Sequence, residues 1–416
     1  MKIGQVLEFE RVLVYNLNGD IMSNYEATAK SILHTLNAHG YDAYFVGGYV
    51  RDMLLNRTTK DIDITTSARP EEVMAIFDNV KETGKRFGTV TVLKHEMAFE
   101  VTTFRAEGTY SDHRRPDTIL FSDELEQDVK RRDFTINALC MDLEGNVIDL
   151  VDGKTDLKNH CLRMIGDPTS RLKEDVLRAL RAIRFVSSHD FEIEAATLEA
   201  LKEAAPLIQT LPIERIMQEL NLIFKGPFKM NAFKHLLNTT IAKYLYGLEK
   251  GLKFLVEKKR QDLSPIEVYM VCFIVDYFDD VWRFSNQQKR LIDKVMQLHL
   301  ITREDTFNTM MVFSHGIKLC SLVNKINVIL GYDDQTKRLA HIDDAMPIKD
   351  VCDLAFKGQD IMQLTALKSH RLIGLVIDDL LEQVLYGRLT NQYDVLKAHA
   401  LKKINKLNKE LGENNE

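Results

Sequence analysis

The stretch Val46-Gly47-Gly48-Tyr49-Val50-Arg51-Asp52, followed nine residues later by Asp61-Ile62-Asp63-Ile64-Thr65, governs how the rest of the chain reads. Tyr44-Phe45-Val46 is strand-like and runs into a Gly-Gly turn, and Val50 to Leu55 has the pattern of a short helix. Asp61 to Thr65 alternates polar and apolar residues with period two, as a half-buried strand does. Residues two apart on a strand share a face, so Asp61 and Asp63 should present paired carboxylates. Adjacent negative charges repel unless a cation sits between them, and Mg²⁺ suits a place that combines carboxylates with substrate phosphates. The Gly-Gly turn lets backbone N–H groups approach a phosphate, and Arg51 adds a positive charge. These parts predict a metal-dependent phosphoryl or nucleotidyl transfer site in which Asp61 and Asp63 are catalytic and hold Mg²⁺. Glu100, an acid between apolar neighbours in Phe99-Glu100-Val101, is the expected third catalytic carboxylate.

Outward from this stretch, an amphipathic helix is expected from Ala27 to His39, stopping at Gly40. Glu71 to Phe77 should be helical after Pro70. Thr89–Leu93 and Ala98–Phe104 should be strands around the charged turn Lys94-His95-Glu96. From Leu172 onward strand signals fade, and helical patterns punctuated by proline run to the end. The expected class is α+β: a small mixed sheet at the N-terminal end followed by helices only. Residues 1–21 differ in texture, precede a second methionine, Met22, and are set aside as an N-terminal extension or tag.

The 416 residues carry 55 Lys and Arg against 61 Asp and Glu, a formal net charge of −6. A protein coated by nucleic acid over its whole surface is excluded, while a local basic cleft is not. Five scattered cysteines without ligand spacing argue against a zinc site or disulfide framework and for a reducing, cytoplasmic setting. No apolar run approaches the roughly 18 residues that span a bilayer, so no membrane partner is expected. Gly153-Lys154-Thr155 lacks the upstream glycine of a phosphate-binding loop, which stands as Ile148, and His189-Asp190 lacks the histidine cluster of a metal phosphohydrolase.

Four motifs in order carry a resemblance to a known family. They are GGYVRD with Asp61-Ile62-Asp63, Arg131-Arg132-Asp133-Phe134-Thr135-Ile136-Asn137-Ala138-Leu139, Asp149-Leu150-Val151-Asp152-Gly153 with Asp156-Leu157, and Glu174-Asp175-Val176-Leu177-Arg178-Ala179-Leu180-Arg181. From about Tyr41 to Phe224 the chain resembles the bacterial class II CCA-adding enzymes (tRNA nucleotidyltransferases) of the DNA polymerase β-like superfamily. The resemblance implies a seahorse-like arrangement: a nucleotidyltransferase head (22–142), an all-α neck for nucleotide recognition (143–225), a helical body (226–335) and a tRNA-binding tail (336–416). It implies addition of CCA to the 3′ end of tRNA from CTP and ATP without a nucleic-acid template. Gly48, Arg51 and Arg132 would contact the nucleotide, and Asp175, Arg178, Arg181 and Arg184 would form the nucleotide-binding helix. A homodimer is left open as the assembly.

The residue types on that helix suit the task. Cytosine and adenine both present an amino donor beside an unprotonated ring nitrogen, which a carboxylate and a guanidinium complement. Uracil and guanine invert both positions, and each buried mismatch costs about 1–3 kcal/mol. Asp175 with Arg178 is therefore read as a protein substitute for a template base. The long polar segment from Arg105 to Asp123 has the strand-poor texture of a mobile loop, and in the family the matching loop is implicated in admitting ATP after CTP. Basic clusters at Lys130-Arg131-Arg132, Lys258-Lys259-Arg260, Lys368 with Arg371, and Lys402, Lys406 and Lys409 are candidate RNA contacts. Glu214-Arg215 with Glu219 are expected to brace helices, and Trp282 to lie in the core. The competing readings are a bacterial poly(A) polymerase, an enzyme adding only A or only CC, and an inactive RNA-binding homologue.

Overall fold

The computed structural model describes residues 24–59, 61–106, 120–260, 262–277, 280–365 and 370–412. The expected extension at 1–21 and most of the expected loop, 107–119, lie outside the described residues, as do the side chains of Lys368, Arg371 and Lys409. The chain divides into two compact units, Met1–Pro265 with Val275–Arg283, and Ile266–Ile274 with Phe284–Glu416.

The first unit opens with a helix over residues 24–38 (α1). Ala29, Ile32, Leu33 and Leu36 bury one side of it, as the three-to-four spacing requires. Then come β1 (Ala43–Val46), α2 (Gly48–Leu54), β2 (Asp63–Thr66), α3 (Pro70–Ile76), β3 (Val80–Gly84), β4 (Thr89–Lys94) and β5 (Met97–Thr103). With the short strands β8 (Cys140–Met141) and β9 (Val147–Ile148) they form a seven-stranded sheet of order β3-β4-β5-β2-β1-β8-β9. The β2–β5 pair is parallel and the other pairs are antiparallel, so the sheet is mixed, as expected.

The β4–β5 hairpin turns where Lys94-His95-Glu96 predicts it, with His95 and Glu96 at positive φ. Strand β2 begins at Asp63 rather than Asp61, so Asp61 lies on the approach to the strand; the alternation still holds, with Ile62 buried between the two aspartates and Ile64 buried after them. Strand β3 is not anticipated by its pattern, because Lys81, Glu82 and Thr83 are all exposed at the sheet edge. The Arg105–Asp123 segment carries one short strand pair at its flanks. There β6 (Arg105–Ala106) pairs antiparallel with β7 (Leu120–Phe121).

Helix α4 (Leu125–Lys130), α5 (Gly153–Lys158), α6 (Pro168–Glu174) and α7 (Leu177–His189) follow, with a two-stranded parallel pair, β10 (Cys161–Leu162) and β11 (Glu192–Ile193); β11 is an exception to the all-helical expectation after Leu172. Asp149, in the third motif, caps α5: its carboxylate accepts from the N–H groups of Gly153 (2.9 Å) and Lys154 (2.8 Å). That explains Gly153-Lys154 without a phosphate loop. Helices α8 (Ala195–Ala204), α9 (Ile213–Lys225), α10 (Lys229–Asn238) and α11 (Glu249–Lys258) complete the unit. Helix α9 packs on α7 closely enough that a Cβ at Gly226 would fall 2.0 Å from Ser187 Oγ. Trp282 is fully buried, as expected, and its indole N–H donates to the Tyr246 carbonyl (3.0 Å).

The secondary-structure elements of the second unit are all helices among the described residues. Its buried side chains include Phe307, Val323, Ile326, Phe356, Val376 and Leu380. All five cysteines are free. Among the described residues no helix is long and apolar enough to cross a membrane.

Candidate active site

A cleft of about 680 Å³ opens in the first unit. One wall is the turn between β1 and α2. Gly47 there has φ 74°, a left-handed conformation that glycine adopts without a Cβ penalty, and Gly48 starts the helix beside it. Arg51, one turn along α2, is nearly buried and held in three ways: Nε donates to Asp52 Oδ1 (2.9 Å), Nη2 pairs with the same oxygen (2.8 Å), and Nη1 donates to Asn137 Oδ1 (2.6 Å). Asp52 also meets His189 Nε2 at 3.4 Å.

Asp61 and Asp63 line this cleft and also a second hollow of about 520 Å³, where they are joined by Glu100, Tyr25 and Thr91. The parallel β2–β5 register, Ile64 opposite Val101, brings Asp63 beside Glu100. Glu100 is exposed on its strand and does not line the larger cleft. Burial, then Glu100 and Asp61, push the Asp63 carboxyl above the usual carboxylate range, against the pull of Arg132. Among the described residues, no side chain makes a hydrogen bond or ion pair with these three carboxylates. Such an oxygen-only donor set, short of cations, fits Mg²⁺. No group of three or more His, Cys, Asp or Glu side chains converges as a metal cage among the described residues, so a cation here would complete its shell from water and phosphate oxygens.

The rest of the cleft is lined by arginines, each steadied by an acid behind it. Buried Asp128 takes Arg131 and Arg132 together, the latter at 2.9 Å. Burial raises the Asp128 carboxyl, but the two guanidinium groups prevail and hold it at about 2. Arg181 Nε donates to Asp133 Oδ2 (2.7 Å), and Arg184 faces Glu219 at 3.4 Å. Arg132 Nε and Arg215 Nη1 are buried without a hydrogen-bond partner. Unmatched guanidinium N–H groups in a cleft suit an anionic ligand.

The expected nucleotide helix is interrupted. Asp175 is not on the helix with Arg178, Arg181 and Arg184: it ends α6 in an extended conformation (φ −145°, ψ 101°), and α7 begins at Leu177. The Asp175 Oδ1 accepts the Leu177 N–H (3.0 Å), a local capping bond that competes with helix continuation. Nor do Asp175 and Arg178 pair with each other. Arg215 Nη2 donates to Asp175 Oδ2 (3.2 Å), while Arg178 Nη1 donates to Glu174 Oε2 (2.7 Å) and the Arg171 carbonyl (2.6 Å). Both residues nevertheless line the same cleft as Asp61, Asp63, Gly48, Arg51, Arg132, Arg181 and Arg184. Of the expected site residues, only Glu100 lies apart, in the adjoining hollow.

Sequence reasoning passed over Asp128 and the part that Asp133 and Asn137 play in orienting the arginines; His189, rejected there as a metal ligand, lines the cleft. Asp128 precedes Arg131 and Arg132 by three and four residues on a helix end, the spacing at which side chains meet, so its signal was present. Glu219 braces α7 through Arg184 and Arg215 the α6–α7 junction through Asp175, as expected, while Glu214 faces Arg283 at 3.9 Å; Arg215 also lines the cleft. In the Lys130-Arg131-Arg132 cluster all three are already paired, Lys130 with Glu126 at 2.6 Å.

Sheet and cleft together define a nucleotidyltransferase. Residues 43–163 match the family model described as the poly A polymerase head domain. Residues 190–250 match the probable RNA- and SrmB-binding site of polymerase A, and residues 278–400 a putative tRNA nucleotidyltransferase domain 2. The CCA-adding enzyme of Streptococcus pyogenes serotype M1 is 35% identical over 382 residues, 89% of this chain and 95% of that one. That of Lactobacillus helveticus is 36% identical over 384 residues, covering 89% and 96%. The crystal structure of the Bacillus stearothermophilus CCA-adding enzyme in complex with CTP superposes with a TM-score of 0.79 at 30% identity, covering 92% of this chain and 98% of that one. The chain belongs to the CCA-adding enzyme family.

Proposed function

We propose that this protein adds C, C and A to the 3′ end of tRNA from CTP and ATP, selecting the bases with its own side chains. The observation that supports this most is the single cleft that has the Asp61–Asp63 carboxylates, an arginine lining, and Asp175 with Arg178 on its walls. In each round the 3′-hydroxyl oxygen of the RNA forms a bond to the α-phosphorus of the nucleotide. The bond to the leaving pyrophosphate breaks, and the hydroxyl proton is lost to solvent. Asp61 and Asp63 would hold Mg²⁺, which when bound supplies positive charge at the triphosphate and at the attacking oxygen.

The chain's own residues supply position. The turn at Gly47-Gly48 admits phosphate oxygens near the backbone, and Arg51, fixed by Asp52 and Asn137, is oriented before any ligand arrives. Arg132, Arg181 and Arg184 line the path of the triphosphate. Arg132 has an N–H still unpaired. Asp175 keeps lone pairs to accept from the exocyclic amine of cytosine or adenine, and Arg178 has donors left for the ring nitrogen. Glu100, in the adjoining hollow with Asp61 and Asp63, is assigned as the third carboxylate. Division into head, neck, body and tail, with tRNA held by the later helices, completes the reading. It is supported by the matches of residues 190–250 and 278–400 to the RNA-binding and tRNA nucleotidyltransferase family models.

The test is incubation with tRNA ending at the discriminator base, Mg²⁺ and each nucleoside triphosphate singly and together, with product lengths read on a gel. Three added residues are expected. A long A ladder would indicate a poly(A) polymerase, one or two residues a partial enzyme, and none an RNA-binding homologue.

A further inference from the structure

Three guanidinium groups of the cleft share one aromatic ring. The central carbon of Arg184 lies 4.9 Å from the Phe185 centroid, that of Arg51 5.4 Å and that of Arg181 6.0 Å. Arg51 comes from α2, whereas Arg181 and Arg184 come from α7 with the ring itself. Each is tied by an acid: Arg51 to Asp52, Arg181 to Asp133, Arg184 to Glu219. Phe185 is buried, and Phe134 fixes it with an edge contact at 5.5 Å and 75°.

Like charges so close together repel. Burial, and then the Arg181 charge against the pull of Glu219, hold the Arg184 guanidinium below its usual range. A carboxylate at position 185 would draw the cations in but also cancel charge needed by an incoming polyphosphate. An aliphatic side chain would fill the space and attract nothing. A π face attracts cations through its quadrupole and carries no net charge. We propose that Phe185 is a positioning residue whose ring gathers Arg51, Arg181 and Arg184 into a cradle for the polyphosphate chain of the nucleotide, independent of its base. This rests on the reading of the cleft as a nucleotide site and adds the element that holds its cations together.

The test replaces Phe185 in the full-length protein with 4-fluoro-, 3,5-difluoro- and pentafluorophenylalanine, which keep the shape and progressively drain the ring of its negative face. Affinity for inorganic tripolyphosphate is measured by calorimetry, beside KM for CTP and ATP. Tripolyphosphate affinity should fall stepwise, by about tenfold in all for contacts of this kind, with both KM values rising in parallel and the preference for CTP and ATP over UTP and GTP unchanged. Phe185→Leu should resemble the pentafluoro protein. A flat series, or a Phe185→Leu protein that folds and binds tripolyphosphate as the parent does, would overturn the proposal. Because tripolyphosphate binding needs neither tRNA nor transfer, an unmodified protein that adds no CCA would sink the functional reading and leave this test standing.

Discussion

The cleft and the interior of the second unit organise polar side chains by opposite means. Around the cleft nearly every fixed polar group is charged: Asp128 with Arg131 and Arg132, Asp133 with Arg181, Asp175 with Arg215, Glu174 with Arg178. In the second unit the buried polar cluster between helices Asn286–Thr302 and Ile317–Leu330 is built from a histidine, an asparagine and a threonine, with no acid or arginine in it. His299 Nδ1 meets Asn327 Oδ1 (2.8 Å), Asn327 Nδ2 donates to Thr302 Oγ1 (2.9 Å), and that hydroxyl donates to the Leu298 carbonyl (2.7 Å). The second arrangement is complete in itself. The first leaves carboxylates without cations at one place and guanidinium N–H groups without protein acceptors at another, a surplus that suits a ligand. Stability alone does not call for such a pattern, since buried ion pairs are weak evidence for it.

The contrast breaks most visibly at Asp63. Asp63→Asn should abolish transfer by on the order of a thousandfold, the several kcal/mol that a metal-bound site contributes. Since burial and then Glu100 and Asp61 oppose its negative charge, the same change should leave the melting temperature in metal-free buffer unchanged or higher. A lower one would mean that the carboxylate is structural. Next in size, Asp175→Ala should cut the discrimination between CTP and UTP by about tenfold or more, read as the ratio of kcat/KM values. Unaltered preference would remove Asp175 from base selection.

Asp128 sharpens the comparison through pH. Its carboxyl sits at about 2, below the ordinary value of 3.8. Its ionised form therefore stabilises the fold above pH 4, and that contribution fades as pH falls through 2. Asp128→Asn should lose about 2 kcal/mol at pH 7, with the gap to the parent narrowing in urea melts between pH 4 and pH 2. High salt should shrink the gap little, because the pair is buried. The smallest effect belongs to the second unit. Thr302→Val should cost about 1 kcal/mol, equally at all salt concentrations, with CCA addition untouched at temperatures where the protein stays folded.

Much of the head was legible because its signals are local. The β1 turn, α2, α3 and the β4–β5 hairpin each follow from glycine, proline or period-two alternation within a few residues. The paired aspartates were also legible, although the strand starts at Asp63. What escaped was decided by partners far along the chain. Strand β3 has no buried face of its own to announce it, and it exists because β4 offers an edge. The break at Asp175 hides within continuous helical periodicity, and only the capping bond to Leu177 reveals it. Asp133 and Asn137 stood in a recognised motif, but their task, orienting Arg181 and Arg51, depends on pairings 48 and 86 residues away.

Strand β3 has one more implication. As the outermost member of its sheet it leaves a row of backbone donors and acceptors open to the solvent. A flat, greasy rim there would invite a second molecule to extend the ladder, and from it a growing aggregate. Lys81 and Glu82, both exposed, put charges along that rim, so an approaching strand must desolvate them before it can zip on. The composition that conceals β3 from pattern reading is thus also what guards its open edge against a second strand.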